Sequence, residues 1–424
     1  MIKFLLKGLL RDRQRSLFPV LIVTIGVWIT VFLQAYIQGI FTTLIDSTAR
    51  FSTGHVKIMT RSYAENEDQK PNDLALIGTG KMIAELQQQY PTMSWVQRIQ
   101  FGGLLDVPDE NGETRSQGPV AGMGVDLLSP GSMEASLLNI EKSIVRGRMP
   151  QEPGEILISD DLARKLEIEV GETATLLGST MHGSMTFYNF TVAGTLRFGI
   201  IAMDRGAMIA DITDVQQALD MADSAGEILG YLQNWIYKDE KTARLVDQFN
   251  VSYSEVEDEF APVMGNLKEL SNLSEYLEYG EYVSDILIFV FVLVMSIVLW
   301  NVGLLGGLRR YTEVGIRLAI GEDKGDVYRA MIYESVLIGL IGSTIGTGFG
   351  LGSAYWLQVK GFDISSMLKN VNMMFPSVLR ASISSETFYI GFFPGLFSTV
   401  LGTALSGIGI YKRQTAQLFK ELEV

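Results

Sequence analysis

The sequence predicts a membrane protein with four α-helical transmembrane spans (1 + 3) and a large α+β extracytoplasmic domain inserted between spans 1 and 2. Three observations carry that expectation. Four apolar runs, near residues 19–40, 283–305, 333–357 and 388–411, are each long enough for the roughly 20 helical residues that cross hydrocarbon. Roughly 240 residues of ordinary globular composition separate the first run from the second, enough for a sizeable core. The mean hydropathy is positive and 47% of residues are hydrophobic, which strains a purely soluble reading.

Charge placement orients the spans. Residues 1–17 carry Lys3, Lys7, Arg11, Arg13 and Arg15 against Asp12. The 306–329 segment carries Arg309, Arg310, Arg317, Lys324 and Arg329, and the tail carries Lys412, Arg413 and Lys420. The positive-inside rule places all three in the cytoplasm. Segment 41–282 holds 18 Lys+Arg against 37 Asp+Glu, so the chain's net charge of −14 arises in the outward domain. An acidic exterior argues against nucleic acid or anionic headgroups as its partners. With no cysteine, disulfide staples and thiol chemistry are excluded.

Taken in order, residues 1–17 form a cytoplasmic amphipathic helix: Ile2, Leu5, Leu6, Leu9 and Leu10 recur at helical spacing, with Lys3, Lys7 and Arg11 on another face. Span 1 covers 18–41 and is expected to be a retained anchor, because its apolar core is too long for a signal peptide and no small-x-small pattern follows. The extracytoplasmic domain covers 42–282, with a barrel-like part at about 100–212. In it, residues 52–59 read as a strand after a turn and Lys81–Tyr90 as a helix ended by Pro91. Trp95–Val107 reads as a strand pair or one long bent strand, and 107–114 as a hairpin turn. Ser159 is placed to cap a helix. Residues 263–282 return to helical spacing, predicting a stalk that runs into span 2 at 283–305. The cytoplasmic segment 306–329, span 3 at 330–357, an outer loop at 358–387, span 4 at 388–411 and a tail at 412–424 complete the chain.

The spans carry packing signals. Gly342, Gly346 and Gly350 recur every four residues, with Gly339 beside them, and Gly402 and Ser406 repeat the pattern on span 4. Small residues at this spacing let helix backbones approach closely in lipid, as a seam between subunits or within one. Pro394 is expected to kink or unwind span 4. Glu334, at the mouth of span 3, is expected to pair with Arg329 or Arg310 at the membrane edge rather than to serve as an ion site. Gly78-Thr79-Gly80-Lys81 is a decoy for a phosphate loop, since Ala75 and Met82 stand where that motif needs glycine and a hydroxyl. His55 and His182 are the only histidines and are not clustered, so no metal site is expected. The stretch Arg309–Gly350 passes from charged to apolar helix without a linker, which suits a device transmitting force from a soluble partner into a bilayer.

One long span, a large exported domain and three further spans resemble the type VII ABC transporter permeases, the MacB, FtsX and lipoprotein-releasing LolC/LolE group. Residues 309–321, RRYTEVGIRLAIG, resemble the coupling segment of that family, and Tyr333-Glu334-Ser335 its third-span hallmark. Residues 146–148 and 154–176 resemble the barrel-like part of its exported domain, and residues 53–58 and Phe198-Gly199 with Asp204-Arg205-Gly206 the lipoprotein-releasing branch. The acidic run after Gly321, Glu322-Asp323-Lys324-Gly325-Asp326, departs from the basic cluster common in the family.

The resemblance implies a permease without catalytic residues or cofactor of its own. ATP and Mg would sit on a separate cytoplasmic ATPase dimer of LolD type, meeting Arg309, Arg310, Glu313, Gly315, Arg317, Gly321 and Asp326. A second permease copy or paralogue would complete the transport path in a bacterial inner membrane. Lipoprotein or other lipid-anchored cargo would enter laterally near Gln34, Tyr36, Phe41, Leu44, Tyr279, Val283, Ile286 and Phe289, and be extracted by mechanotransmission. The alternatives are MacB-like efflux with a periplasmic adaptor and outer-membrane duct, and FtsX-like signalling to envelope enzymes.

Overall fold

The computed structural model describes residues 13–233, 235–270, part of 282–320, 321–363, 374, 378–385 and 387–412. The chain divides into a unit of Met1–Thr42, Leu277–Phe362 and Leu379–Val424 and a second of Thr43–Tyr276 and Asp363–Val378. Helix α1 (Arg13–Thr48) passes directly into a five-residue π-helical turn, Ala49–Thr53. The 37 residues Leu17–Thr53 measure about 55 Å at 1.5 Å per residue, well beyond the ~30 Å of a hydrocarbon core. Gly54 then turns the chain at φ +62°, a conformation side chains resist, and a Cβ there would lie 2.8 Å from the Val56 carbonyl.

The second unit is built on ten strands in one sheet: β1 (Val56–Thr60), β2 (Met93–Pro108), β3 (Thr114–Val125), β4 (Ile144–Gly147), β5 (Glu155–Ser159), β6 (Thr173–Ser179), β7 (Met185–Leu196), β8 (Ala207–Asp211), β9 (Glu227–Leu232) and β10 (Pro262–Asn266). Between them lie α2 (Thr79–Gln89), α3 (Glu134–Leu137), α4 (Asp160–Lys165), α5 (Ile212–Ala218) and α6 (Asp239–Ser252). One long strand, β2, belongs to two halves. Its residues 93–98 pair with β9, giving the order β10-β1-β9-β2. Its residues 99–108 pair with β3, and 103–106 also with β6.

From β2 the pairings run through β3, β8, β5, β7 and β6 and return to β2. A closed ring leaves no unpaired edge. Ile99, Leu105, Ile156, Ile158, Leu176 and Phe190 fill it, with Leu162 of α4 and Val215 of α5. Local chemistry fixes the connections. Asp109 accepts from the Asn111 and Glu113 amides to close the β2–β3 hairpin, and Ser159 Oγ accepts from Leu162 N to cap α4.

The other half-sheet has two unlike faces. Val56, Ile58, Trp95, Ile228 and Leu232 pack under α2 and α6 with Leu86, Leu245 and Phe249. The opposite face carries Lys57, Arg98, Glu227 and Tyr231, all buried. The stalk expected over 263–282 begins differently: residues 263–266 belong to β10, which pairs with β1 from Val56↔Asn266 to Thr60↔Pro262. Pro262 starts an edge strand, the position in a sheet that tolerates its missing N–H. Helix α7 (Leu267–Leu270) follows, and 271–281 lie outside the described residues.

In the first unit, α8 (Lys324–Lys360) is one unbroken helix of 37 residues, and α9 (Phe392–Lys412) follows a single helical turn, Thr387–Ile390. The break at Gly391 lies where Pro394 predicts it. Pro394 lacks an N–H and its ring would crowd the carbonyl of Ile390, so the ladder restarts with Gly395 N donating to Gly391 O. Among the described residues, three helices are long and apolar enough to cross a membrane: Leu17–Thr53, Lys324–Lys360 and Thr387–Ile408. The run at 283–305 lies only partly within the described residues; those described are helical, and their side chains are exposed apart from Ser296. The amphipathic helix of 1–17 lies outside them except for 13–17, as does the tail beyond 412.

His55 ties β9 to the strand it precedes. Its Nδ1 accepts from Leu232 N at 3.0 Å, and burial holds its pKa down from 6.5 to about 4. Because the folded value lies below the unfolded one, the unfolded chain takes up the proton first as pH falls. The stability held by neutral His55 is therefore full above about pH 6.5 and is lost progressively down to pH 4, by about 3 kcal/mol. Thermal unfolding of the full chain between pH 7 and 4 checks this: His55→Gln flattens the decline relative to wild type, and an identical decline refutes it.

Candidate functional site

The candidate residues fall into three groups, and the first is the seam between helices. Cβ atoms added at Gly342, Gly346 and Gly350 would lie 2.8, 2.8 and 2.6 Å from Cβ of Val23, Val27 and Val31. At Gly346 the Thr24 carbonyl would be closer still, at 2.6 Å. The valines of α1 thus seat in the glycine groove of α8, and the matched numbering shows the two helices running parallel. Thr24 Oγ1 donates to Gly342 O at 3.4 Å and Trp28 Nε1 to Ser353 Oγ at 3.0 Å across the same seam.

Gly339 faces elsewhere. It meets Thr399 and Leu396 of α9, and Tyr328 Oη of α8 donates to Ala404 O. Gly402 and Ser406 are buried on α9, where Ser406 Oγ donates to Thr403 O within its own helix. The close approaches that spacing alone did not single out are Gly391 and Gly395 against Val31 and Val27, and Gly407 against the Tyr328 ring. Helix α9 runs antiparallel to both α1 and α8.

The second group is the start of α8. Gly321 adopts φ +100°, so the chain turns there in a conformation that glycine alone takes freely. Glu322 N donates to Arg317 O at 3.0 Å, and the Asp323 carbonyl accepts from Asp326 N and Val327 N to begin the helix. Asp326 lies in the first turn, where a carboxylate suits the positive helix end. It pairs with Arg329 at 3.8 Å, both exposed, which gives Arg329 a partner one turn back on its own helix. Glu334 is half-buried on α8. Arg309, Arg310, Glu313 and Gly315 lie outside the described residues, so the proposed Glu334–Arg310 pairing does too.

Of the candidate lipid contacts, Leu44, Val283, Ile286 and Phe289 are exposed. Gln34, Tyr36 and Phe41 are half-buried, with Tyr36 packed against the cluster of Ala35, Ala354, Leu357 and Ala381. Tyr279 lies outside the described residues.

The third group had no sequence signal. In the second unit Arg98 and Glu134, 1% and 0% exposed, form a two-pronged pair: Nε to Oε1 at 2.9 Å and Nη2 to Oε2 at 2.8 Å. Burial alone would push the Arg98 guanidinium down, but the Glu134 carboxylate outweighs it and holds it above its ordinary value. Arg98 Nη1 donates to Arg50 O at 2.7 Å, and Tyr231 Oη to Ala49 O at 3.0 Å. Beside them, Lys57 Nζ reaches Glu67 at 2.6 Å and Glu227 at 3.2 Å, while Lys70 reaches Glu227 at 2.9 Å. Burial pushes Glu227 up, but the two lysines override it and hold its carboxyl below the ordinary range.

Residues 16–248 match the family described as MacB-like periplasmic core domain, and residues 286–415 match FtsX-like permease C-terminal. The chain is 31% identical over 96 residues to a macrolide export ATP-binding/permease protein MacB of Hahella chejuensis, covering 22% of this chain and 14% of that protein. A probable export ATP-binding/permease protein MacB of Pseudomonas entomophila is 33% identical over 73 residues, 17% of this chain and 11% of that one. These matches therefore span only 11% and 14% of the relatives' own length. The crystal structure of the periplasmic region of MacB from Actinobacillus actinomycetemcomitans aligns with a TM-score of 0.33 and 10% identity, covering 52% of this chain and 92% of that one.

The seam makes a paired prediction. Gly346→Ala forces α1 and α8 apart and lowers the melting temperature of the full chain in detergent, by about 1–3 kcal/mol of stability. Gly348→Ala, with nothing within 4 Å of the added atom, leaves it unchanged. Equal effects of the two would remove the seam's special status.

Proposed function

The chain belongs to the type VII ABC transporter permeases of the MacB/FtsX family, and on that premise we propose that it lifts lipid-anchored proteins out of the bacterial inner membrane. It is an inner-membrane protein with a periplasmic domain. The observation that carries the mechanism is the continuity of α8, which begins three residues after the Gly321 turn and runs unbroken to Lys360. Force applied to 306–329 by a cytoplasmic ATPase dimer then moves a whole helix rather than a loop. The glycine–valine seam passes that movement from α8 to α1. ATP and Mg belong to the ATPase, of LolD type, and a second permease copy or paralogue encloses the path.

Two points support the arrangement. Helices α1 and α8 run parallel, and two parallel spans need an odd number of crossings between them, which favours a span within 283–305. Counted from a cytoplasmic start, four spans return the C-terminus to the cytoplasm, as the basic flanks also favour. The exposed Val283, Ile286 and Phe289 are the side chains proposed to meet acyl chains of the cargo.

A second reading is favoured by the names of the relatives, macrolide export proteins: efflux of small amphiphiles through a periplasmic adaptor and an outer-membrane duct. Depletion of the chain separates the two. The leading reading expects triacylated lipoproteins to accumulate in the inner membrane; normal sorting, with an adaptor co-purifying, overturns it in favour of efflux. For the coupling segment, Glu313→Ala with Arg317→Ala is expected to lower cargo-stimulated ATP hydrolysis roughly fivefold or more while insertion stays intact. Unchanged stimulated hydrolysis removes those residues from the coupling.

A further inference from the structure

We propose that the buried Arg98–Glu134 pair, with Tyr231, is a positioning device that locks the end of α1 to the half-sheet of the second unit, so that displacement of span 1 is delivered to the periplasmic domain instead of being absorbed at a hinge. This rests on the permease reading and adds the residues on which its coupling depends.

The segment has the makings of a hinge. A helix leaves its last four carbonyls without partners, and such ends fray when water alone satisfies them. Here α1 ends in a π-helical turn, a form found mostly as short irregular stretches, and then in Gly54 at positive φ. Left to themselves, Ala49–Gly54 would bend before anything beyond them moved.

The second unit removes that freedom. Two of the terminal carbonyls receive side-chain donors from the sheet: Arg98 of β2 donates to Arg50 O, and Tyr231 of β9 to Ala49 O, which also accepts from Gly54 N. Tyr231 Oη and Arg98 Nη2 are themselves 3.4 Å apart, so the two donors form one group. The Arg98 guanidinium cannot swing, because its Nε and Nη2 are held by both oxygens of Glu134. Glu134 opens α3, and Arg50 Nη1 closes the loop by donating to Leu137 O at the end of α3, at 3.2 Å. Arg50 Nε also pairs with Asp46 at 2.9 Å, one turn back in α1. The positive guanidinium of Arg98 meets the negative end of the helix. Helix end, α3 and two central strands thus share a single network whose centre, Arg98, Glu134 and Tyr231, is buried.

Stability does not account for this choice of residues. A buried ion pair is commonly replaceable by apolar side chains of similar volume without loss, whereas a two-pronged arginine–carboxylate pair supplies fixed geometry. Position is what the pair contributes.

The test uses the full chain in lipid nanodiscs with the ATPase that co-purifies with it and a purified triacylated lipoprotein as cargo. The double variant Arg98→Met with Glu134→Leu leaves no lone buried charge and is expected to melt as wild type does. Amide exchange over residues 43–54 is expected to quicken about tenfold or more, with the β2–β3 hairpin unchanged, because the Arg50 carbonyl loses a charged donor. The ratio of cargo-stimulated to basal ATP hydrolysis is expected to fall severalfold while basal hydrolysis holds. Wild-type exchange over 43–54, or quickened exchange with an undiminished ratio, overturns the proposal. If the double variant unfolds, Tyr231→Phe carries the same two readings, with the same outcomes deciding. Exchange needs neither ATPase nor cargo. A wild-type chain that moves no lipoprotein therefore refutes the transport reading, whereas wild-type exchange over 43–54 in the double variant overturns the lock whatever the cargo.

Discussion

Six charges on one face of a half-sheet set the architecture of the periplasmic unit. Lys57, Glu227 and Arg98 stand on adjacent strands, Glu134 comes from α3, and Glu67 and Lys70 close the rim. Three cations meet three carboxylates, so nothing is left unpaired in charge. Removing Arg98 or Glu134 alone would strand the other as a buried charge, where the penalty runs to several kcal/mol. The cover over this face is therefore constrained: the end of α1, α3 and the 61–74 segment each bring a group that completes the network. Tyr63 adds its ring against Gly226, where a side chain on the strand would meet the phenol at 3.0 Å. On the other face the same strands present Val56, Ile58, Trp95 and Ile228 to helices, an ordinary apolar core. The half-sheet thus has an adaptable side and a specified one, and it is the specified side that binds the carbonyls of Ala49 and Arg50.

The membrane-spanning helices solve a different problem. Lipid offers no hydrophobic drive between helices, so association depends on how closely backbones approach. Valines every four residues on α1 and glycines every four on α8 meet over two turns of parallel helix, and Gly391, just before α9, and Gly395 within it reach the same valines from the other side. Val27 and Val31 are thus gripped from two helices at once. A seam of this kind transmits translation well, since a knob seated in a groove on two sides has no free direction within the contact.

How much of this was legible follows from the range of the interactions. The apolar runs, the β2–β3 hairpin, the Ser159 cap and the Pro394 break arise within a few residues, and each could be read where it stands. The fourfold glycine spacing showed a groove on α8 but not that Gly339 turns to a different helix from Gly342. Residues 263–266 read as the start of a helix because four residues are too few to show a period, and only the pairing with β1 makes them a strand. The ionic face was invisible. Lys57 alternates with Val56 and Ile58 as any solvent-facing lysine would, while its partner Glu227 lies 170 positions on and Glu134 lies 36 from Arg98. No local pattern announces a charge that a distant element will bury.

Helix α1 serves both units, and its weakest point between seam and lock is Gly39. Glycine in a helix interior costs about 1 kcal/mol relative to alanine and softens the backbone. Yet a Cβ at Gly39 would collide with the Arg380 carbonyl and lie 2.8 Å from Ala381 Cα, so the glycine is required by the passage of 380–381 against the helix. The same segment braces what it weakens: Ser382 N donates to Ala35 O at 2.9 Å, and Ala381 packs with Ala35, Ala354 and Leu357. A soft residue held on one side by backbone bends less than its propensity alone implies. Stiffness in this helix is thus supplied from outside it at each place where the sequence would let it yield, by 380–382 at Gly39 and by Arg98 and Tyr231 at its end.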